Sequence, residues 1–432
     1  MPTETVPTST SSPPVPPGLV LAPFKGLRFG VSDVGSLTSP PYDVIDEPER
    51  KQLEASHPHN IVRLILPRDA AGQPGSRYEQ AAARLRTWRS DGILRQDPAP
   101  ALYLYEEIVG GHTQRGLLGT VALAEAGAGI ILPHENTMAG PVADRLALMR
   151  ATATNLEPIF LLYEGGGAAS EVVDRTGESE LLIDTVISDG ADEQRHRVWA
   201  VTDPDTLHEV AADLLPRRAV IADGHHRYAT YLQYQHDQHL AGRGNGPWDH
   251  GLSLLVDALH FGPQVHPIHR VVPGLPVMVA ADRARSGFDV EPTSASLAAM
   301  LKVLADAPPG PSFVLTDGTS AFLLTRMRHD VVDPLLPGDR SAATRGLDVT
   351  VLHAGLVEGL WQLADNESVV DYRHDAASAV QAARASGGTA VLVNASPATS
   401  VAAVAAAGER MPRKSTLFTP KPRSGLVVRP IE

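Results

Sequence analysis

The stretch IADGHHRYAT, from Ile221 to Thr230, sets an acid, a glycine, two histidines and an arginine between an apolar run and a helical pattern. The first backbone amides of a helix lack internal acceptors and lie at the positive end of its dipole, so a glycine turn into a helix suits an anion. Arg227 would add a fork of charged donors there, and His225 and His226 further donors around Gly224. Asp223 opposes an anion unless it holds a metal, orients Arg227 or takes a proton from a substrate hydroxyl. Phosphoryl transfer can use all three roles. The same residues also fit a plain turn in which Asp223 caps the helix and Arg227 pairs with a surface acid. Zinc fits less well, because neighbouring positions on a helix project about 100° apart and no third ligand follows at zinc spacing. The P-loop pattern and the dinucleotide fingerprint are both absent.

A second group is HENTMAGPVADR, where His134, Glu135, Asn136 and Thr137 crowd a loop before a helix. A loop glutamate beside a histidine can serve as a general base, and it can equally be solvated while Asn136 or Thr137 holds the turn. PPYDVID and NIVRLILP add Asp43, Asn60 and Arg63 as substrate-side candidates, together with His134 and Thr137. Each of these, taken singly, also has a structural reading.

The elements that must position these groups alternate between two periods. LVLAPFKGLRF reads as a short strand, SPPYDVID as an extended segment and NIVRLILP as a buried strand. EPERKQLEAS has the composition of a short helix, and Arg77 to Arg89 places Tyr78, Ala81, Ala82, Leu85 and Trp88 at helical spacing. Two hairpins are predicted, one around Gly110 and Gly111 and one around Asp189 and Gly190. Between them a helix from about Val142 leads into the strand PIFLLY. Asp203 caps a helix whose face is Leu207, Val210, Ala211 and Leu214. AVIAD then forms a buried strand, and HRYATYLQYQ a helix with Tyr228, Tyr231 and Leu232 on one face. Beyond HPIHRVV come the hairpin SFVLTDGTSAFLLTRM, the helix TVLHAGLVEGLWQL and the strand TAVLVNA. The closing ERMPRKSTLFTPKPRSGLVVR is rich in Pro, Lys, Arg and Ser and reads as too polar for a core element. The fold class is mixed α and β, of the α+β kind. The predicted organisation is a Pro/Ser/Thr-rich disordered tail over residues 1–17, a domain over 18–272 and a smaller α/β domain over 273–432.

The chain of 432 residues carries a formal net charge of −13, with no basic stripe to track phosphates along a polymer, so nucleic acid is not an expected partner. No apolar run approaches the roughly 18 residues of a membrane span. There is no cysteine, which removes disulfides, thiolate metal sites and a thiol nucleophile, and makes a reducing cytoplasm the simplest compartment. The tail has no basic start and no apolar stretch, unlike a secretory or transit signal. Two of the five lysines, Lys414 and Lys421, fall in the last twenty residues.

Several blocks together resemble the uncharacterised bacterial and archaeal proteins grouped as domain of unknown function 1015. They are PPYDVI, the N..RL..P at Asn60, ILPHE.T..GP..DRL.L..AT..N..PIF.LY, IADGHHRY, LDV.VLH and GERMP.KST.F.PK...GL, in order from about Pro23 to Arg429. More distantly, DGHHRYAT is similar to the strand–turn–helix signature of the ParB/sulfiredoxin superfamily, whose members include free-serine kinases and nucleotide-binding ParB domains. That resemblance implies a ParB/sulfiredoxin-like N-terminal domain with hairpin insertions. It puts Gly224, His225, His226 and Arg227 on nucleotide phosphates, and Asp223 near a metal or the acceptor hydroxyl. It calls for a separate glutamate as base, for which Glu135 is the candidate by character alone. In the closing block, Lys414 and Lys421 could fold over the nucleotide, and Ser415 and Thr416 could bind a phosphate or an acidic substrate. A solvated basic rim is the alternative there.

The function expected is a phosphotransferase using ATP or ADP with Mg²⁺ to phosphorylate a hydroxyl of a small metabolite, as a free-serine kinase does. The alternatives are a nucleotide-binding regulatory module with no chemical step and a scaffold whose motif is structural. Nucleotide and a small molecule are the expected partners, with neither nucleic acid nor membrane. The acceptor and the oligomeric state stay open.

Overall fold

The computed structural model describes residues 13–175, 177, 179–189, 192–366 and 368–431. Most of the predicted tail and Gly190 of the second hairpin lie outside the described residues. The chain forms two compact units. Unit 1 holds the described residues up to Pro133, then Thr137–Pro263, and the end of the chain from Pro420. Unit 2 holds His134–Asn136 and Gln264–Thr419. The predicted boundary at 272 thus falls inside unit 2, and the closing segment is shared between the units.

Unit 1 is built on one mixed sheet. Its strands are β1 (Leu21–Ala22), β2 (Leu102–Val109), β3 (His112–Ala122), β4 (Ile131–Leu132), β5 (Ile159–Tyr163), β6 (Glu180–Asp189), β7 (Asp192–Val201), β8 (Ala219–Asp223) and β9 (His250–Asp257). They lie in the order β4-β8-β5-β9-β3-β2-β7-β6, with β1 added beside β3. The pairs β4 with β8 and β5 with β9 are parallel, and the other pairs are antiparallel. The two predicted hairpins are β2–β3 and β6–β7. Helices α1 (Glu47–Ser56), α2 (Arg77–Ser90), α3 (Ala139–Thr152), α4 (Pro204–Leu214) and α5 (His225–Leu240) accompany the sheet. Asp203 caps α4 by accepting from the Thr206 amide at 2.9 Å, and Pro204 fills its first position. One core joins Leu104, Leu117 and Ile159 of the sheet to Val210 and Leu214 of α4 and to Tyr228, Tyr231 and Tyr234 of α5.

Three local expectations are corrected. The run NIVRLILP is a short helix at Val62–Ile65, with Val62, Leu64 and Ile65 buried. Asn60 turns the chain into it, its side-chain oxygen accepting from the Val62 amide at 2.9 Å, and a short apolar run carries no period to separate helix from strand. Pro41 to Val44 form a turn closed by the Val44 amide on the Pro41 carbonyl. The closing segment contributes to the core: Leu426, Val427 and Val428 are at most 2% exposed, and Ile431 and Phe418 are buried.

A buried polar row crosses the unit 1 sheet. His196 stands opposite Glu107, and Glu107 opposite Gln114, so the three side chains share a face. The Tyr105 hydroxyl donates to Glu107 Oε2 at 2.9 Å and lies 2.9 Å from His196 Nδ1. Burial pushes the Glu107 carboxyl up to about 8, against the opposing Tyr105 hydrogen bond and Arg423 charge. Burial and Arg423 push His196 down to about 3. The two groups act on stability in opposite directions. The folded state binds Glu107's proton more tightly than the unfolded chain, so this contribution is full below about pH 4.5 and is lost as pH rises towards 8. His196 resists protonation when folded, so its contribution is full above about pH 6.5 and is lost as pH falls towards 3. Thermal melts across pH 4 to 9 should therefore show a decline between about pH 6.5 and 8 that Glu107→Gln removes. An undiminished decline in that variant would refute the assignment.

Unit 2 carries its own antiparallel sheet, with strands β10 (His269–Val272), β11 (Asp289–Thr293), β12 (Phe313–Thr316), β13 (Ala321–Thr325), β14 (Asp371–Arg373) and β15 (Thr389–Val393) in the order β11-β13-β12-β15-β10-β14. The predicted hairpin is β12–β13, and the predicted strand TAVLVNA is β15. The helix around LHAGLVEGL spans Val351–Leu360 and is wound more widely than an α-helix, with the Trp361 amide reaching back five residues to Leu356 at 2.8 Å. Its His353 is held from both sides. Nδ1 lies 2.8 Å from Asp365, and Nε2 accepts from the buried Arg270 at 3.1 Å.

Among the described residues no helix is long and apolar enough to cross a membrane.

Candidate functional site

The strand AVIAD is β8, its parallel neighbour is β4 and its antiparallel neighbour is β5. At its end Gly224 adopts φ 92°, ψ 29° and starts α5. This left-handed backbone favours glycine, and a Cβ here would also sit 3.1 Å from the Arg227 guanidinium. Gly224→Ala is therefore expected to lower stability by roughly 1–3 kcal/mol, measurable as a reduced urea midpoint. No change would mean that the turn relaxes freely.

Arg227 points inward. It is 4% exposed, and its guanidinium donates to the Pro158 carbonyl and to Asp223 Oδ2. The other Asp223 oxygen lies 2.5 Å from Lys421 Nζ, and Lys421 also reaches Asp43 Oδ2 at 3.3 Å. Behind them is Glu157, 4% exposed, accepting from the Tyr42 amide at 2.9 Å and the Ser424 hydroxyl at 3.0 Å. Its second oxygen is 3.8 Å from Arg145, whose guanidinium lies 4.2 Å from the Tyr42 ring centre and is paired with Asp144. A cavity of about 30 Å³ between Arg145, Glu157, Arg227, Thr230 and Tyr231 has room for one water.

The charges in this group support one another. Burial would weaken the Arg227 cation, but Asp223, Glu157 and Asp43 outweigh it and raise its pKa. Burial likewise works against the Lys421 ammonium, and Asp223 and Asp43 raise its pKa above the ordinary value. For Asp43, burial is overcome by Lys421 and Arg227, and its carboxyl is held low. Glu157 is raised by burial despite Arg227 and Arg145. Tyr42 is pushed up to about 12, mainly by burial.

The candidates from sequence fall into two groups. Asp43, Asp223, Gly224, Arg227 and Lys421 come together in unit 1. His226 is there too, its Nε2 accepting from the Met138 amide at 3.0 Å, with exposed Thr137 next in the chain; His225 is buried. In unit 2, His134 is 1% exposed, 3.1 Å from the Thr416 hydroxyl and 4.0 Å from Glu135, and its ring meets Phe418 edge-on. Ser415 donates to the Pro412 carbonyl, and the exposed Lys414 gives its backbone carbonyl to Arg270. Asn60 spends its side chain on Ser36, Thr38 and Val62, and Arg63 donates to the Glu54 carbonyl. Both stabilise local chain turns.

Two assignments change. Arg227 is an internal clamp on Asp223 and Pro158, where the sequence reading placed it on phosphates. Asp223 has both oxygens engaged by cations, Arg227 on one and Lys421 on the other. These residues do not fit a Mg²⁺ held by Asp223. Sequence reasoning missed Glu157 and Arg145. Glu157 looks like an ordinary polar residue at the entry to a strand, and only the fold brings it behind Arg227.

Among solved structures, a mutant of a free serine kinase in complex with ADP is similar at 12% identity, covering 67% of this chain and 84% of that one, with a TM-score of 0.34. SbnI with a C-terminal truncation, from Staphylococcus aureus, is similar at 12% identity over 72% and 85%, with a TM-score of 0.34. A conserved hypothetical protein from Pyrococcus furiosus is similar at 13% identity over 67% and 88%, with a TM-score of 0.30. No curated protein matches. The family described as a protein of unknown function, DUF1015, matches residues 21–350, well over half of the sequence, and the chain belongs to that family.

Proposed function

We propose that unit 1 binds a nucleotide at the Gly224 turn and transfers its terminal phosphoryl group to a hydroxyl of a small metabolite, serine being the first acceptor to test. The observation that carries this reading is the convergence of Lys421, Asp43 and Asp223 on a glycine turn at the start of a 16-residue helix. The helix terminus and Lys421 supply positive charge to phosphate oxygens. Asp43, the more exposed of the two carboxylates, takes the hydroxyl proton as the acceptor oxygen bonds to phosphorus and the bond to the leaving nucleotide breaks. Arg227 acts through Asp223 by fixing its orientation. Glu135 belongs to unit 2, and its role as base is tested separately by Glu135→Gln.

Phosphorus NMR with ATP and a pool of hydroxylated metabolites tests the proposal. A new phosphomonoester signal is expected in the wild type, reduced at least tenfold by Asp43→Asn. Nucleotide line broadening without a new signal would replace it with a binding module. One observation favours a structural motif that binds no nucleotide: the carboxylates Asp43, Asp223 and Glu157 already face Arg145, Arg227 and Lys421, so no cation here is left without a counter-charge.

A further inference from the structure

The acidic pair Asp43 and Asp223 brackets one nitrogen. Lys421 Nζ stands 2.5 Å from Asp223 and 3.3 Å from Asp43, with only 17% of its side chain exposed. A divalent ion in a phosphate site is held in the same way, by one or two carboxylates with its remaining positions given to phosphate and water. Here the ammonium takes that place. Three further features fix it. Arg227 holds the second oxygen of Asp223 and so keeps the carboxylate aimed at Lys421. Ser39 and Ser424 exchange backbone hydrogen bonds at 3.2 and 2.9 Å, which ties the segment carrying Lys421 to the segment carrying Asp43. Arg423, two residues after Lys421, donates to the Thr38 hydroxyl at 2.7 Å. The lysine is thus delivered by a chain anchored within unit 1.

We infer that Lys421 is the resident cation of this site, occupying the position of a protein-bound metal, so that anionic ligands are held at the Gly224 turn without a divalent ion ligated by Asp43 or Asp223. The part concerning ligands rests on the nucleotide reading above. The part concerning the ion does not. A lysine cation is fixed in charge and cannot be removed by a chelator, whereas a metal held by two carboxylates would be.

Two measurements separate the parts. The first is Mn²⁺ binding to the nucleotide-free protein, followed by electron paramagnetic resonance. The wild type is expected to bind no Mn²⁺ that Asp223→Asn abolishes, whereas Lys421→Met should acquire one bound ion, lost again in Lys421→Met/Asp43→Asn. That double variant removes one of the two carboxylates that Lys421 bridges, so loss of the new ion ties it to Asp43. A Mn²⁺ ion in the wild type that disappears with Asp223→Asn overturns the inference, and so does a folded Lys421→Met with no new ion. The second is calorimetric titration of ADP in EDTA and in Mg²⁺. Wild-type affinity should differ less than threefold between the two, and Lys421→Met should weaken binding in EDTA at least tenfold. A tenfold or greater loss of wild-type affinity in EDTA overturns the inference while leaving nucleotide binding intact. No ADP binding under either condition overturns the nucleotide reading, and the Mn²⁺ result then decides the ion assignment alone.

Discussion

A chain ending at Thr419 is expected to lose the folded state of unit 1. The residues removed include Leu426, Val427, Val428 and Ile431, all buried. At roughly 1.5–3 kcal/mol for each buried aliphatic side chain, their loss amounts to about 6–12 kcal/mol, comparable with the whole stability of a typical domain. Polar losses add to this. Arg429 donates to Asn155 at 3.0 Å and to the His250 carbonyl at 2.7 Å, and the Val428 and Leu27 backbones exchange hydrogen bonds at 2.9 Å. Asp43 and Asp223 would lose Lys421, and Glu157 would lose Ser424. Amide hydrogen exchange should show collapse of protection in β5, β8 and α5. Retained protection in those elements would mean that the closing segment only decorates unit 1.

Arg227→Ala is expected to cost about 3–5 kcal/mol, the range for removing one partner of a buried ion pair. It leaves Asp223 with only Lys421, strips the Pro158 carbonyl of its donor and takes a cation away from the buried Glu157. With about 2–4 °C per kcal/mol for a domain of this size, the melting temperature should fall by roughly 10 °C. Arg227→Lys should recover only part of the loss, because an ammonium on a flexible stem does not reproduce a planar fork holding a carbonyl and a carboxylate together. A melting temperature unchanged in Arg227→Ala would show that the guanidinium is not a structural clamp. Its place on a ligand would then have to be reconsidered.

Elements with strong local signals were legible from the residues. Asp203 and Pro204 announce the start of α4, Gly110 and Gly111 the β2–β3 hairpin, and the apolar run before Gly224 announces β8. The run after Asn60 was not, because so short an apolar run has no measurable period and the Asn60 side chain decides the turn. The end of the chain misled for a related reason. Its average polarity hides Leu426, Val427 and Val428, and composition does not reveal that β-like apolar residues at a terminus return to a core laid down hundreds of residues earlier.

For the site, the amino-acid order alone determined that an acid, a glycine and an arginine stand where a strand becomes a helix, because those determinants lie within five consecutive positions and act through local backbone geometry. What each side chain faces was decided only by the tertiary structure. Arg227 turns inward because Pro158 and Asp223 offer it acceptors in a buried position, where an unpaired guanidinium would be costly. Lys421 reaches Asp43, 378 positions away in sequence, because the closing segment pairs with unit 1. Long-range charge pairing of this kind leaves no period or spacing in the sequence, since it depends on which distant segments the fold makes neighbours.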